Sequence, residues 1–216
     1  MKHRVELIFF DLDGTLADTK ANIVASVNYT LKTLGAPARP ADEIVRYIGV
    51  GADHLIIKSL GEAHIHKFHE AEKIILKYTA EHISDNVRLF AHVKETLEYF
   101  TKKRKILLSN RQKHLCELLL KSLGIAHHFE EVIGGDDPAC RKPSACPLNN
   151  MIKKHLKARD GSIIVGDMAV DIQAGKAAGI LTCAVTYGGI GSIEEVIAAK
   201  PDYVIDDMLK LKDIIE

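Results

Sequence analysis

Hydrophobic and polar positions divide this chain into two stretches of different period. Leu7, Ile8, Phe9 and Phe10 form an unbroken apolar, β-prone run too short for a typical helix, which is the pattern of a strand buried on both faces; the run stops at Asp11. From there to about Asp85 the period is helical and no buried-strand pattern intervenes. Asp18 is placed to cap a helix reaching about Leu34, with Ile23, Val24, Val27, Leu31 and Leu34 on one face, and Gly35-Ala36-Pro37 ends it. A short helix over Ala41 to Tyr47, the turn Gly49-Val50-Gly51, a helix over Ala52 to Leu60 and a longer one from about His64 to His82 follow.

From Val87 onward strands and helices alternate. Helices are expected over Ala91 to Lys102, Gln112 to Leu123, Ala145 to Leu156, Val170 to Ala178, Ile193 to Ala198 and Met208 to Ile215. Strands are expected over Ile106 to Ser109, Glu131 to Ile133, Ser162 to Val165, Leu181 to Val185 and Tyr203 to Ile205. This alternation predicts an α/β fold with a doubly wound parallel sheet, a Rossmann-like core. Because the first strand must join the later ones, residues 1–16 and 86–216 are expected to form the core. Residues 17–85 then form a helical cap inserted after the first strand.

Composition narrows the partners. The 216 residues can bury a substantial core, and Lys+Arg and Asp+Glu both number 29, so no long-range basic field exists to attract nucleic acid or an anionic membrane. No apolar run approaches membrane-spanning length and the start of the chain lacks the order of a signal peptide, so a cytoplasmic protein is expected. Cys116, Cys140, Cys146 and Cys183 have neither C-x-x-C nor zinc-ligand spacing and are expected as reduced thiols. Lys102-Lys103-Arg104-Lys105 is expected as a solvated helix end, and His64, His66 and His69 as surface residues.

The candidate chemistry collects at strand ends, where ligands bind in an open α/β sheet. Asp11 and Asp13 lie two apart in extended chain and so face one spot; Gly14 permits a sharp turn, and Thr15 can bond local backbone or hold Asp11. Ser109-Asn110 ends another strand and offers a hydroxyl and backbone amides to an oxyanion. Gly134-Gly135-Asp136-Asp137 leads to Arg141-Lys142-Pro143, where the proline restrains the backbone so that Lys142 aims at a fixed point. Gly166-Asp167 ends a further strand, with Asp171 one helical turn on. Four converging acids repel one another unless a cation neutralises them, and an all-oxygen site suits Mg²⁺, which would also draw in a phosphoryl dianion.

D-L-D-G-T-L at 11–16, Ser109-Asn110, Lys142-Pro143 and Gly166-Asp167-x-x-x-Asp171 resemble, in order, the four motifs of the haloacid dehalogenase superfamily. Within it the chain is most similar to the phosphoglycolate phosphatase group, through I-G-V-G-A at 48–52 and G-G-D-D at 134–137. The resemblance implies a Mg²⁺-dependent phosphomonoester hydrolase acting on a small phosphorylated metabolite such as 2-phosphoglycolate. Asp11 would be the nucleophile that becomes an aspartyl phosphate, and Asp13 the general acid and base. Asp11, the Asp13 carbonyl and Asp167 would hold the metal, with Asp171 and Thr15 in support; Ser109, Asn110 and Lys142 would bind the phosphoryl group. Gly49, Val50 and Gly51 are expected to read the leaving group.

Two positions depart from related phosphatases: Arg111-Gln112 stand where Lys-Pro is common, and Ala145 where a proline is common. Inorganic pyrophosphatase and sugar-phosphate mutase remain as alternatives within the superfamily, although Ala52 occupies the place of the basic cap residue such mutases carry. A receiver-type phospho-aspartate signalling domain is the non-enzymatic alternative; its acceptor follows a later strand and it lacks a large insertion. Asp13 argues against dehalogenation, which needs no general acid there.

Overall fold

The computed structural model describes residues 2–156 and 159–216. Strand β1 (Leu7–Phe10) is followed by a two-residue strand β2 (Ala17–Asp18) and four helices: α1 (Lys20–Thr33), α2 (Ala41–Val45), α3 (Ala52–His64) and α4 (Phe68–Glu81). Then come β3 (Arg88–Leu89), α5 (Val93–Tyr99), β4 (Arg104–Leu108), α6 (Lys113–Ser122), β5 (Glu131–Ile133) and α7 (Cys146–Lys154). The chain closes with β6 (Ser162–Gly166), α8 (Ala169–Ala178), β7 (Leu181–Val185), α9 (Ile193–Ala198), β8 (Tyr203–Ile205) and α10 (Leu211–Ile214).

Six strands form one parallel sheet in the order β5-β4-β1-β6-β7-β8. Alternation along β1 builds both faces. Ile8 and Phe10 pack with Val93, Leu97, Leu119 and Leu211, so α5, α6 and α10 cover one side. Leu7 and Phe9 pack with Leu148, Ile152 and Ala174, so α7 and α8 cover the other, and Val196 brings α9 to the same side against Ile172 and Ala184. All four β1 side chains are fully buried, each worth roughly 1.5–3 kcal/mol. The chain winds one way from β1 to β4 and the other way to β6, so the crevice beyond the carboxyl end of β1 is the switch point of the sheet.

Helices α1 to α4 surround a separate apolar cluster that includes Val27, Leu31, Ile44, Ile56 and Ile75, and Ile190 from the sheet-bearing part reaches into it. Antiparallel pairing of Ala17 with Leu89 and Asp18 with Arg88 ties the two ends of this helical stretch together. Asn22 Nδ2 adds bonds to the carbonyls of His82 (2.7 Å) and Asp85 (3.1 Å).

Several expectations need correction. Asp18 does not cap α1: Thr19 is the N-cap residue, while Asp18 sits in the ribbon with Lys20 and Arg88 beside it. The helix expected from His64 begins at Phe68, because α3 runs on to His64 through non-helical dihedrals at Gly61 and a 3-10 turn over Ile65–Lys67 follows. The basic run is not a helix end, since α5 stops at Tyr99 and Arg104 and Lys105 already belong to β4. Lys105 is buried, with its ammonium donating to the Phe100 and Lys103 carbonyls at 2.6 and 3.1 Å. Cys140 and Cys146 are not free thiols but a disulfide, because the Arg141-Lys142-Pro143 turn reverses the chain and brings their Cα atoms to 5.2 Å; Cys116 and Cys183 are free and buried.

Candidate active site

The sequence around each strand end explains why the polar groups meet. Asp11 continues the β1 ladder, its N–H donating to the Val165 carbonyl at 2.9 Å, and its carboxylate emerges at the switch point. Leu12 turns into the core and Asp13 out again, so both acids line one cavity. Gly14 then takes φ +85°, and a Cβ there would lie 2.1 Å from Asp167 Oδ2; only glycine lets the β1 loop approach the β6 loop this closely. The Thr15 hydroxyl lies 3.0 Å from Asp167 Oδ1 and 3.5 Å from Asp11 Oδ2, bridging the two acids.

Lys142 is buried; its Nζ donates to Asp11 Oδ1 at 2.5 Å and to the Leu108 carbonyl at 2.9 Å, and it forms an ion pair with Asp171 Oδ1 at 2.6 Å. Asn110 fixes the loop that carries it. The Asn110 Oδ1 accepts from the Lys142 N–H at 3.0 Å, and its Nδ2 donates to the Lys142 and Gly49 carbonyls, both at 2.8 Å. The Asn110 side chain is therefore committed to scaffolding and to a link with the helical stretch, which leaves its backbone for an oxyanion. The Ser109 hydroxyl is buried and accepts from the Arg111 N–H at 3.1 Å. Gly134-Gly135-Asp136 supports this strand end: Gly135 packs on the Asn110 carbonyl, and Asp136 accepts from the Lys113 N–H at 2.9 Å where α6 starts.

Electrostatics set the acids apart. Burial pushes the Asp11 carboxyl up to about 7; Lys142 opposes this, while Asp171 and Asp13 add to it. Asp167 is likewise raised, by burial and then by Asp11 and Asp171. Burial would also raise Asp13, but the charge and paired hydrogen bonds of Arg111, with the Thr19 hydroxyl at 2.6 Å, outweigh it and hold the carboxyl below its ordinary range. Burial alone would lower Lys142, and Asp11 and Asp171 more than offset that.

Asp11, Asp167 and Asp171 each bring a carboxylate oxygen within 4.8 Å of the others. Asp167 Oδ2 is buried without a hydrogen-bond partner among the described residues, and it lies in a cradle that a Cβ on Gly14 or Gly188 would fill. A desolvated, unpartnered carboxylate oxygen among three acids fits a hard divalent cation. His66 and His69 are exposed and His64 half-buried, and none belongs to this cluster.

The cavity above these groups, about 80 Å³, is closed on its far side by α1, α3 and α4. Gly49 and Gly51 line it, whereas Val50 between them does not. Three residues that the sequence analysis left aside also matter. Arg111, noted there only as a departure, forms a fork with Asp13, Nε to Oδ2 at 3.1 Å and Nη2 to Oδ1 at 2.6 Å. Arg141 pairs with Asp53 at the start of α3 at 2.9 Å, and the Met168 sulfur packs against Gly49. Their adjacency to Asn110, Lys142 and Asp167 was the available signal.

The sequence pattern of the haloacid dehalogenase-like hydrolases matches residues 8–185. The phosphoglycolate phosphatase of Vibrio parahaemolyticus is 31% identical over 220 residues, covering 98% of this chain and 96% of that one. The Haemophilus influenzae enzyme of the same name is 32% identical over the whole of both chains. Among solved structures, "a predicted phosphoglycolate phosphatase" from Haemophilus somnus superposes with a TM-score of 0.90 at 27% identity over 97% of each chain. A haloacid dehalogenase-like family protein from Streptococcus pneumoniae gives 0.86 at 26% identity, over 97% of this chain and 98% of that one. A sheet with its acids at the switch point, matched along nearly its whole length by such relatives, makes this chain a member of the haloacid dehalogenase-like hydrolase family and a phosphatase.

Proposed function

We propose that this phosphatase hydrolyses 2-phosphoglycolate through an aspartyl phosphate on Asp11, with Mg²⁺ as its ion and residues 17–85 as the cap that admits the substrate. One observation carries the mechanism: Asp11 stands at the end of β1 with Lys142 on one oxygen, beside an Asp167 oxygen that no described residue satisfies. The names of the relatives support the substrate.

In this reading a carboxylate oxygen of Asp11 attacks phosphorus while the ester P–O bond breaks in line, and Asp13, which must first take up a proton against the pull of Arg111, gives that proton to the departing alcohol oxygen. Asp13 then takes a proton from the water that attacks the acyl phosphate, which releases inorganic phosphate and restores Asp11. The Ser109 hydroxyl, the neighbouring backbone amides and Lys142 bind the phosphoryl oxygens and the charge that builds on them. Asp11, the Asp13 carbonyl and Asp167 would hold the ion, with Asp171 in support; when bound it neutralises the acids and polarises the phosphoryl group.

The test is kcat/KM for 2-phosphoglycolate, pyrophosphate, a hexose phosphate and p-nitrophenyl phosphate, measured with Mg²⁺ and after exhaustive chelation. The highest value is expected for 2-phosphoglycolate, with a loss of about 100-fold or more on chelation that Mg²⁺ reverses. A higher value for pyrophosphate would replace the substrate, and full activity without metal would refute the ion's role.

A further inference from the structure

The cavity presents a second anion with a single choice. Among the described residues two cationic side chains line it, Arg111 and Lys142. Lys142 is already engaged: its ammonium lies between the Asp11 and Asp171 carboxylates and donates to the Leu108 carbonyl, and in the proposed reaction it serves the phosphoryl group. The wall facing them is uncharged: Ile23, Ile48, Leu55 and Ile75 with two hydroxyls, Ser26 and Thr79. A carboxylate left against that wall would lose its hydration without a partner. Arg111 is nearly buried, its side chain 8% exposed, and spends two of its five N–H groups on Asp13. The other three have no acceptor among the described residues and are free to meet a ligand.

Position agrees with chemistry. Asp13 is the group that faces the departing oxygen, and Arg111 is one hydrogen bond beyond it. In glycolate the carboxylate carbon is two bonds from that oxygen, so an ester engaged with Asp13 carries its carboxylate to the guanidinium. We infer that Arg111 is the specificity-determining residue of this enzyme, taking the carboxylate of the leaving group in a forked, charge-assisted contact while the apolar wall excludes water around it. The inference rests on the 2-phosphoglycolate reading and assigns the residue that enforces it. It also gives the departure at Arg111 a purpose, since a planar fork can hold the Asp13 carboxylate and a second one side by side, as an ammonium cannot.

The experiment compares 2-phosphoglycolate with ethyl phosphate, which replaces the carboxylate by a methyl group, in wild type, Arg111→Gln and Arg111→Lys, each saturated with Mg²⁺. Because Arg111 also touches Asp13, the quantity read is the ratio of the two kcat/KM values, in which any general damage to Asp13 cancels. Wild type is expected to prefer the acid by about 100-fold, and Arg111→Gln to reduce that ratio to within about tenfold of unity, chiefly through KM. Arg111→Lys should recover part of the preference. Circular dichroism and thermal melting establish that the variants are folded, and the lysine variant keeps the test available should the glutamine variant not be. A wild-type preference that survives intact in Arg111→Gln, both esters falling together, overturns the inference alone and makes Arg111 a partner of Asp13 or of the phosphoryl group. A wild-type enzyme that does not prefer the acid overturns the substrate reading and this inference with it.

Discussion

Asp11 occupies a position no other carboxylate in the chain duplicates: it is buried, it is held by Lys142 at 2.5 Å, and it ends the central strand. An amide is nearly isosteric but cannot accept a phosphoryl group, so Asp11→Asn is expected to lower kcat by at least about 10⁴-fold while the far-ultraviolet spectrum is unchanged. A purified variant retaining near wild-type kcat would remove Asp11 from the mechanism. The same residue shows what a sequence can disclose: two acids one residue apart after an apolar run are visible in the letters alone. The fork between Arg111 and Asp13 is not, because residues 98 positions apart are joined only by the pairing of β1 with β4.

At the scale of elements, the contact between the turn 49–51 and the sheet is made by few groups. Asn110 reaches the Gly49 carbonyl, Met168 packs on Gly49, and Arg141 pairs with Asp53 next to Gly51. Gly51 takes φ +130°, and a Cβ there would lie 2.4 Å from Arg141 Nη1. Gly51→Val is therefore expected to push Arg141 off Asp53 and to lower kcat/KM for 2-phosphoglycolate about tenfold or more, with a smaller loss for p-nitrophenyl phosphate. Equal losses for both esters would show that the turn does not read the leaving group. Strands β5, β7 and β8 and helix α9 were legible to the residue, because a short β-prone apolar run or an apolar turn behind a serine cap is written locally. The ribbon of β2 and β3 was not, since two residues carry no period and the pairing lies across the whole helical stretch. The Lys105 environment was missed for a related reason: a lysine read as solvated belongs to a central strand and satisfies its ammonium on backbone carbonyls.

Taken whole, the molecule sorts its cysteines into two classes. Burial pushes the thiols of Cys116 and Cys183 up to about 12, so neither forms thiolate near neutral pH, whereas Cys140 and Cys146 close a ring around Arg141 and Lys142 near the surface. Iodoacetamide at pH 8 should label no cysteine of the native oxidised protein, two after mild reduction and four after reduction and denaturation together, counted by intact mass. Labelling of Cys116 or Cys183 in the folded state would contradict their burial, and labelling of Cys140 without reduction would contradict the disulfide.

The ribbon that joins Ala17 to Leu89 has a consequence for the chain's history as well as its shape. A segment that leaves and returns through adjacent paired residues looks, to the host sheet, like the loop of a hairpin, whatever its length. The entropy of closing that loop grows only with the logarithm of its length, so residues can be gained or lost between the two strands with little effect on the pairing of β1 with β4 and β6. The fold thus offers one gate at which the chain can change length, with the acids of the β1 and β6 strand ends on the other side of it.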